Sequence, residues 1–350
     1  MRRPSVRKPR RCGRPCGSSR AKRVAGESCP REYVTGESLP TALAFGAAIA
    51  SSLKEGVTDV GSLREWMAAH EPEIDRNPAA WCAIELAVID AFARAAAQSV
   101  ESLVGLPAVD GEFVYTAVLG DASPDAFAAA VRKYQEFGFS TFKVKLSGDL
   151  ERDRAKLATF RALSTAATIR VDANNLWRSA DEAMRFLSAL DCPLFAVEEP
   201  VGAGQYDALA RIGDALNCRI VLDESVLRPA QLAELPLPAA RWIANLRVSK
   251  MGGLLRSLAL VEHLRRGGLG VIVGAHVGET SLLTRAALPV ARAAGAALVA
   301  QEGAFGTWLL TRDVCEPPLM FARGGVLRTE AFPQLRQPGF GIACSGRGSR

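Results

Sequence analysis

The amino-acid sequence predicts an α/β protein organised around a parallel barrel, and three observations carry that expectation. Between residues 112 and 301, short apolar runs alternate with stretches of helical periodicity, giving eight strands with helices between them. The runs "TFKVKL", "TIRVDANN", "LFAVEEP", "RIVLDES" and "WIANLRVSK" carry charges at their ends that a buried strand does not otherwise need. From Lys145 to Asp172, Glu198, Asp223 and Arg247 the step is 24 to 27 residues. One strand, one helix and two loops take up about that length, so the charges converge on one mouth, the end where a barrel of this kind does its chemistry.

The chain has 350 residues, 49% apolar and 23% charged, which is globular composition with ample material for a core. Its net charge of +6 is uneven, because residues 1–28 hold ten Lys or Arg and one acid, leaving the remainder at −3. That opening stretch has almost no large apolar side chains and is expected to be a disordered basic tail. No aromatic residues interleave its charges, so nucleic acid is not the expected partner. The eight cysteines show no metal or disulfide spacing and read as reduced thiols of a cytoplasmic protein. No apolar run has transmembrane length, and no apolar segment of a signal peptide follows the basic start. Three histidines are too few for a His-rich zinc site.

Helical periodicity covers 37–53, 61–70 and 77–105, the last opening on Asn77-Pro78 and closing at Gly105. At Glu112 the period changes. "EFVYTAVLG" reads as the first strand, followed by a helix with Ser123 as cap and Pro124 at its first position. Strands then follow at 141–146, 168–173, 194–198, 219–223, 241–248, 270–275 and 297–301. Helices fall at 149–166, 179–190, 205–216, 229–235, 253–267 and 280–295. The strands are near-continuous apolar runs, as expected when both faces of a sheet are covered. The turn-rich stretch 321–350 is too short for a domain and is expected to return to the N-terminal helices.

Asp172, Glu198 and Asp223 end three consecutive strands. Each alone could cap a helix. Three in one mouth repel one another and call for a counter-charge, which a hard dication such as Mg2+ (or Mn2+) supplies while leaving positions for water and a substrate oxygen. Lys143 and Lys145 are two apart on one strand and so share a face. If that face is the interior, mutual repulsion and burial depress both, and Lys145 can act as a base. A cation that binds a substrate carboxylate, with a lysine to take the proton from the adjacent carbon, is a combination already known from enolase-superfamily sites.

The motifs resemble that superfamily, and most closely its muconate cycloisomerase (muconate-lactonizing) and mandelate racemase-like members. "KVK", "RVDAN", "VEEP", "LDES" and "NLRVSKMGG" match on five successive strands, and "GAHVGET", "PREYVTGES" and "AIELAVIDA" match in form. The resemblance covers about residues 29–342. It implies a TIM-like (β/α)7β barrel at 111–320 with an N-terminal α+β capping domain, partial here, at 29–110, completed by 321–350. It implies Asp172, Glu198 and Asp223 as metal ligands, Lys145 as the acid/base and Lys143 as its neighbour. Asn174, Glu279 and Glu302 are candidate substrate contacts or supports of the ligands. Arg247 stands where the family carries a second lysine. An arginine stabilises an anion but is a poor base, which favours one-base cycloisomerisation or dehydration. His276 on the seventh strand is a second acid/base in the alternative reading, a racemase or epimerase of amino-acid derivatives or hydroxy acids. Lys250 reads as a loop or helix-start residue. The expected partners are a small carboxylate-bearing substrate and further copies of the chain in a homo-oligomer, without a membrane. An inactive barrel with a binding role is the alternative of another class.

Overall fold

The computed structural model describes residues 24–164 and 168–342. The basic stretch 1–23, with Cys12 and Cys16, and the terminal residues with Cys344 lie outside the described residues. The last part of the expected tail is not loose. Glu27 accepts from Thr280 N, Thr280 Oγ1 and Leu283 N at 2.6 to 2.9 Å, and a Cβ on Gly26 would run into the Ala83 carbonyl.

Six helices open the described chain: α1 (Glu32–Thr35), α2 (Leu39–Gly56), α3 (Val60–Ala69), α4 (Glu71–Arg76), α5 (Pro78–Ala95) and α6 (Val100–Val104). The sequence reading of one helix over 77–105 is corrected. Ala97 turns left-handed at φ 55° between α5 and α6, and Ser99 starts α6 by accepting from Ser102 N. The single strand expected at 112–120 is also two. β1 (Glu112–Val114) pairs antiparallel with β10 (Val326–Arg328), and β2 (Ala117–Leu119) opens the barrel.

The barrel continues as α7 (Pro124–Phe137), β3 (Phe142–Lys145), α8 (Leu150–Leu163), β4 (Arg170–Asp172), α9 (Ala180–Ala189), β5 (Ala196–Glu198), α10 (Tyr206–Leu216) and β6 (Arg219–Leu222). It ends with β7 (Trp242–Arg247), α11 (Val248–Met251), α12 (Leu254–Arg266), β8 (Gly270–Gly274), α13 (Ser281–Ala294) and β9 (Leu298–Gln301). The helix expected at 229–235 is a 3-10 segment, Pro229–Glu234. β2 to β9 form one parallel sheet in chain order, and Thr116 N donates to Gln301 O at 2.8 Å across its seam. This is a TIM-like barrel beneath a capping domain.

Alternation decides what faces where. Phe142, Val144, Val171, Val197 and Ile220 point out under the helices; Phe142 meets Phe160 of α8 edge-on. Ala196, Val221, Ile243 and Ile272 form a separate apolar cluster inside the barrel. Above it, the same inward rows carry Lys143, Lys145, Arg170, Asp172, Glu198 and Asn245. Register sets Lys145 beside Asp172 and Asp172 beside Glu198.

Candidate active site

Each charged side chain of the mouth lies at the end of a strand whose apolar residues are pinned between barrel and helices, so the backbone beneath it is rigid. Lys143 is buried, and its Nζ lies 2.9 Å from Glu302 Oε2, 3.2 Å from Glu198 Oε2 and 3.5 Å from Asp172 Oδ2. Burial pulls its pKa down, but Glu198, Glu302 and Asp172 outweigh that and hold it above the usual lysine value. The expectation that Lys143 is a depressed amine is therefore corrected: three carboxylates surround it. Glu302 is also gripped by Arg170 at 3.1 Å. Burial disfavours its charge, yet Lys143 and Arg170 prevail and bring its pKa down to about 2. It acts as a fixed counter-ion.

Lys145 differs. Its side chain is 40% exposed, and its Nζ meets Asn174 Oδ1 at 3.1 Å and Asp172 Oδ2 at 3.6 Å. Asn174 in turn donates its backbone N–H to Asp172 Oδ1 at 3.1 Å. Beneath Lys145, buried Lys156 donates to the Lys145 carbonyl at 2.7 Å and pairs with Asp153. Asp153 ties down the N–H groups of Ser147 and Gly148.

Glu198 accepts from Asn245 Nδ2 at 3.0 Å. Burial pushes its carboxyl up to about 8; Lys143 opposes this, and Asp172, Glu302 and Asp223 add to it. Asp223 takes Lys250 Nζ on Oδ1 at 2.7 Å and Arg247 Nη2 on Oδ2. Burial raises its pKa, but Lys250 and Arg247 hold it well below the usual carboxylate range. Glu199, with φ 37°, accepts from Asp223 N and Ser225 N at 2.8 Å and shapes that turn. His276 is 5% exposed, and neither ring nitrogen has a hydrogen-bond partner. The His276 backbone N–H donates to Glu279 Oε1 at 2.7 Å, while ring Nδ1 stays 3.6 Å from the same oxygen. Burial, against the pull of Glu279 and aided by Arg247, holds the ring below its ordinary pKa and so neutral.

Lys143, Lys145, Asp172, Asn174, Arg247, His276, Glu279 and Glu302 all line one cavity of about 320 Å³. Glu198 and Asp223 stand behind its wall. Sequence reasoning missed Arg170 and Asn245, although each lies two residues before a named site residue on the same inward row, which was a usable signal. It also missed Lys250 as a partner of Asp223, because that lysine reaches down from α11, where no strand parity applies. Tyr33 at the cavity mouth carried no signal.

Among the described residues, no three His, Cys, Asp or Glu side chains are grouped closely enough to hold a metal ion. The donor chemistry nevertheless suits a hard dication. Asp172, Glu198 and Asp223 offer only oxygens, burial keeps the Glu198 carboxyl raised despite Lys143, and the buried Glu224 Oε2 has no hydrogen-bond partner.

A parallel barrel with acids and lysines on its strands, converging on one cavity at the strand ends, is the architecture of a barrel enzyme. The match of residues 126–347 to the model "Enolase C-terminal domain-like" makes it particular: the chain belongs to that family and to the enolase superfamily. It is 28% identical over 280 residues to a chloromuconate cycloisomerase of Cupriavidus pinatubonensis, covering 79% of this chain and 73% of that one. A hydrophobic dipeptide epimerase of Enterococcus faecalis is 26% identical over 217 residues, covering 62% of this chain, and the match spans 61% of that relative's length. Among solved structures, a dipeptide epimerase from Methylococcus capsulatus complexed with a Mg ion superposes at TM-score 0.76 with 26% identity, covering 91% of this chain and 90% of that one.

Proposed function

We propose that the enzyme removes the proton alpha to a substrate carboxylate, with Lys145 as base and Arg247 and Lys143 as fixed positive charges. Asp172, Glu198 and Asp223 would hold Mg2+ (or Mn2+). When bound, that ion would offset the negative charge that grows on the substrate carboxylate as its neighbouring carbon is deprotonated. The observation that carries the reading is the contrast between the cations. Lys143, Arg247 and Lys250 are buried or nearly so against carboxylates, whereas Lys145 is half-exposed in the cavity, beside Asn174 and with a single, looser carboxylate contact to Asp172. An amine that keeps access to solvent can both take and return a proton.

The outcome would be cycloisomerisation or dehydration, as in the muconate cycloisomerase-like members. Racemisation or epimerisation is the second reading, favoured by His276. A neutral imidazole with two unpartnered nitrogens in the same cavity is a candidate second acid/base. Arg247 cannot serve there, because a guanidinium keeps its protons.

The test is hydrogen exchange in deuterated water followed by NMR, over a panel of amino-acid derivatives, hydroxy acids and unsaturated diacids with Mg2+ present. Wild type should exchange the alpha proton of at least one acid, and Lys145→Ala should slow that by roughly a hundredfold or more. Exchange untouched by Lys145→Ala sinks the assignment. His276→Asn divides the two readings. If it removes exchange from one stereoisomer only, the two-base reading stands; if neither isomer is affected, the one-base reading stands.

A further inference from the structure

Each oxygen of the Asp223 carboxylate already meets a cation of the chain itself. Lys250 holds Oδ1 and is in turn gripped by the main-chain carbonyls of Asp223 and Asn245, so it is fixed. Arg247 holds Oδ2 from the end of β7. It lines the cavity, its side chain is 12% exposed, and its Nε has no partner. Asp223 is the acid partner that the described structure gives it, so one contact fixes its far end.

We propose that Arg247 is a tethered competitor for the metal: its guanidinium occupies the Asp223 oxygen that a divalent cation needs, and metal binding frees that guanidinium to meet a substrate carboxylate in the cavity. This rests on the reading of Asp172, Glu198 and Asp223 as the ligand set. A guanidinium and a dication brought to one carboxylate oxygen repel each other, so each weakens the other's hold on it. Like charges at contact distance in a buried site repel strongly, and a dication repels the guanidinium about twice as strongly as a monocation would. An arginine makes the competition permanent, since it stays charged at every accessible pH.

The test uses the whole chain, stripped with EDTA and titrated with Mg2+ alone by calorimetry and with Mn2+ alone by electron paramagnetic resonance, without substrate. Arg247→Met and Arg247→Gln should bind either ion about tenfold more tightly than wild type, within the range of ordinary coupling between sites. Arg247→Lys, which keeps a charge in the acid cluster on a shorter stem, should shift in the same direction and guards against loss of folding in the neutral variants. Leu309→Ala, at the same cavity, should bind as wild type. Equal or weaker affinity in all three Arg247 variants overturns the inference while leaving the ligand set intact. If neither wild type nor any variant binds at millimolar ion, the ligand set falls, and the inference with it.

Discussion

Two lysines two positions apart on β3 have different surroundings, and the difference sets what each can do. Lys143 is enclosed by Glu198, Glu302 and Asp172, so its ammonium is the counter-charge that lets those acids stay buried. Removing it leaves carboxylates uncompensated. Lys143→Met should therefore lower stability by about 3–5 kcal/mol, the usual cost of breaking a buried pair from one side. Lys145→Met removes a half-exposed ammonium whose one carboxylate contact is Asp172 at 3.6 Å, and should cost under about 1 kcal/mol while slowing proton exchange by roughly a hundredfold or more. Urea unfolding of both variants checks this; a Lys145 variant as unstable as the Lys143 one would mean that Lys145 is structural. Both residues were legible in "KVK". The division of labour was not, because Glu302 lies far along the chain and reaches Lys143 only when the barrel closes.

At the scale of elements, α12 depends on a carboxylate from another part of the chain. Its N-terminal N–H groups on Leu254 and Leu255 donate to Glu85 of α5 at 2.6 and 2.8 Å, where an anion complements the helix dipole. The approach is possible because residue 253 is glycine. At φ 98° it sits in the left-handed region, and a Cβ there would lie 2.2 Å from Glu85 Oε2. Burial is the main cause that pushes the Glu85 carboxyl up from 4.5 to about 7, partly offset by those two N–H groups. The sign follows directly. A carboxyl raised in the folded state holds its proton more tightly there than in the unfolded chain, so its contribution is fully present below pH 4.5 and is lost as pH rises through 7. That loss is on the order of 3 kcal/mol. Relative to Glu85→Gln, wild type should thus lose melting temperature progressively between pH 4.5 and 8. Parallel melting curves across that range would contradict the assignment. Gly253→Ala should destabilise at every pH. "AIELAVIDA" announced a buried helix, but nothing in it told which helix end its glutamate would cap.

Over the whole molecule, the barrel and the capping helices are joined through buried charge. Arg285 on α13 pairs with both oxygens of Glu101 on α6 at 2.6 and 3.0 Å and donates to the Phe340 carbonyl at 2.8 Å. The chain end returns along the same seam, with Val100 N donating to Gly339 O at 3.0 Å and Phe340 N to Asp90 Oδ1 at 2.9 Å. Arg285→Met alone should cost about 3–5 kcal/mol, and Arg285→Met with Glu101→Leu should recover most of it, because replacing both partners removes the stranded charge. Thermal melting of the single and double variants decides this; a double variant no better than the single one would show that the Phe340 contact, and not the pair, carries the junction.

The sequence by itself determined the barrel, its strand order and the residues at its mouth, because alternation and a constant repeat are local properties that survive without knowledge of contacts. It put three acids at the ends of successive strands and two lysines on a shared face of the strand before them. The tertiary structure decided which charge answers which. It set Lys143 among three carboxylates, Arg247 and Lys250 on Asp223, and Arg170 on Glu302, and it left the ring nitrogens of His276 without a hydrogen bond. Those pairings join residues up to 159 positions apart, as Lys143 and Glu302 are. Coulomb energy depends on distance in space and on burial, and neither is written in the order of residues along a strand.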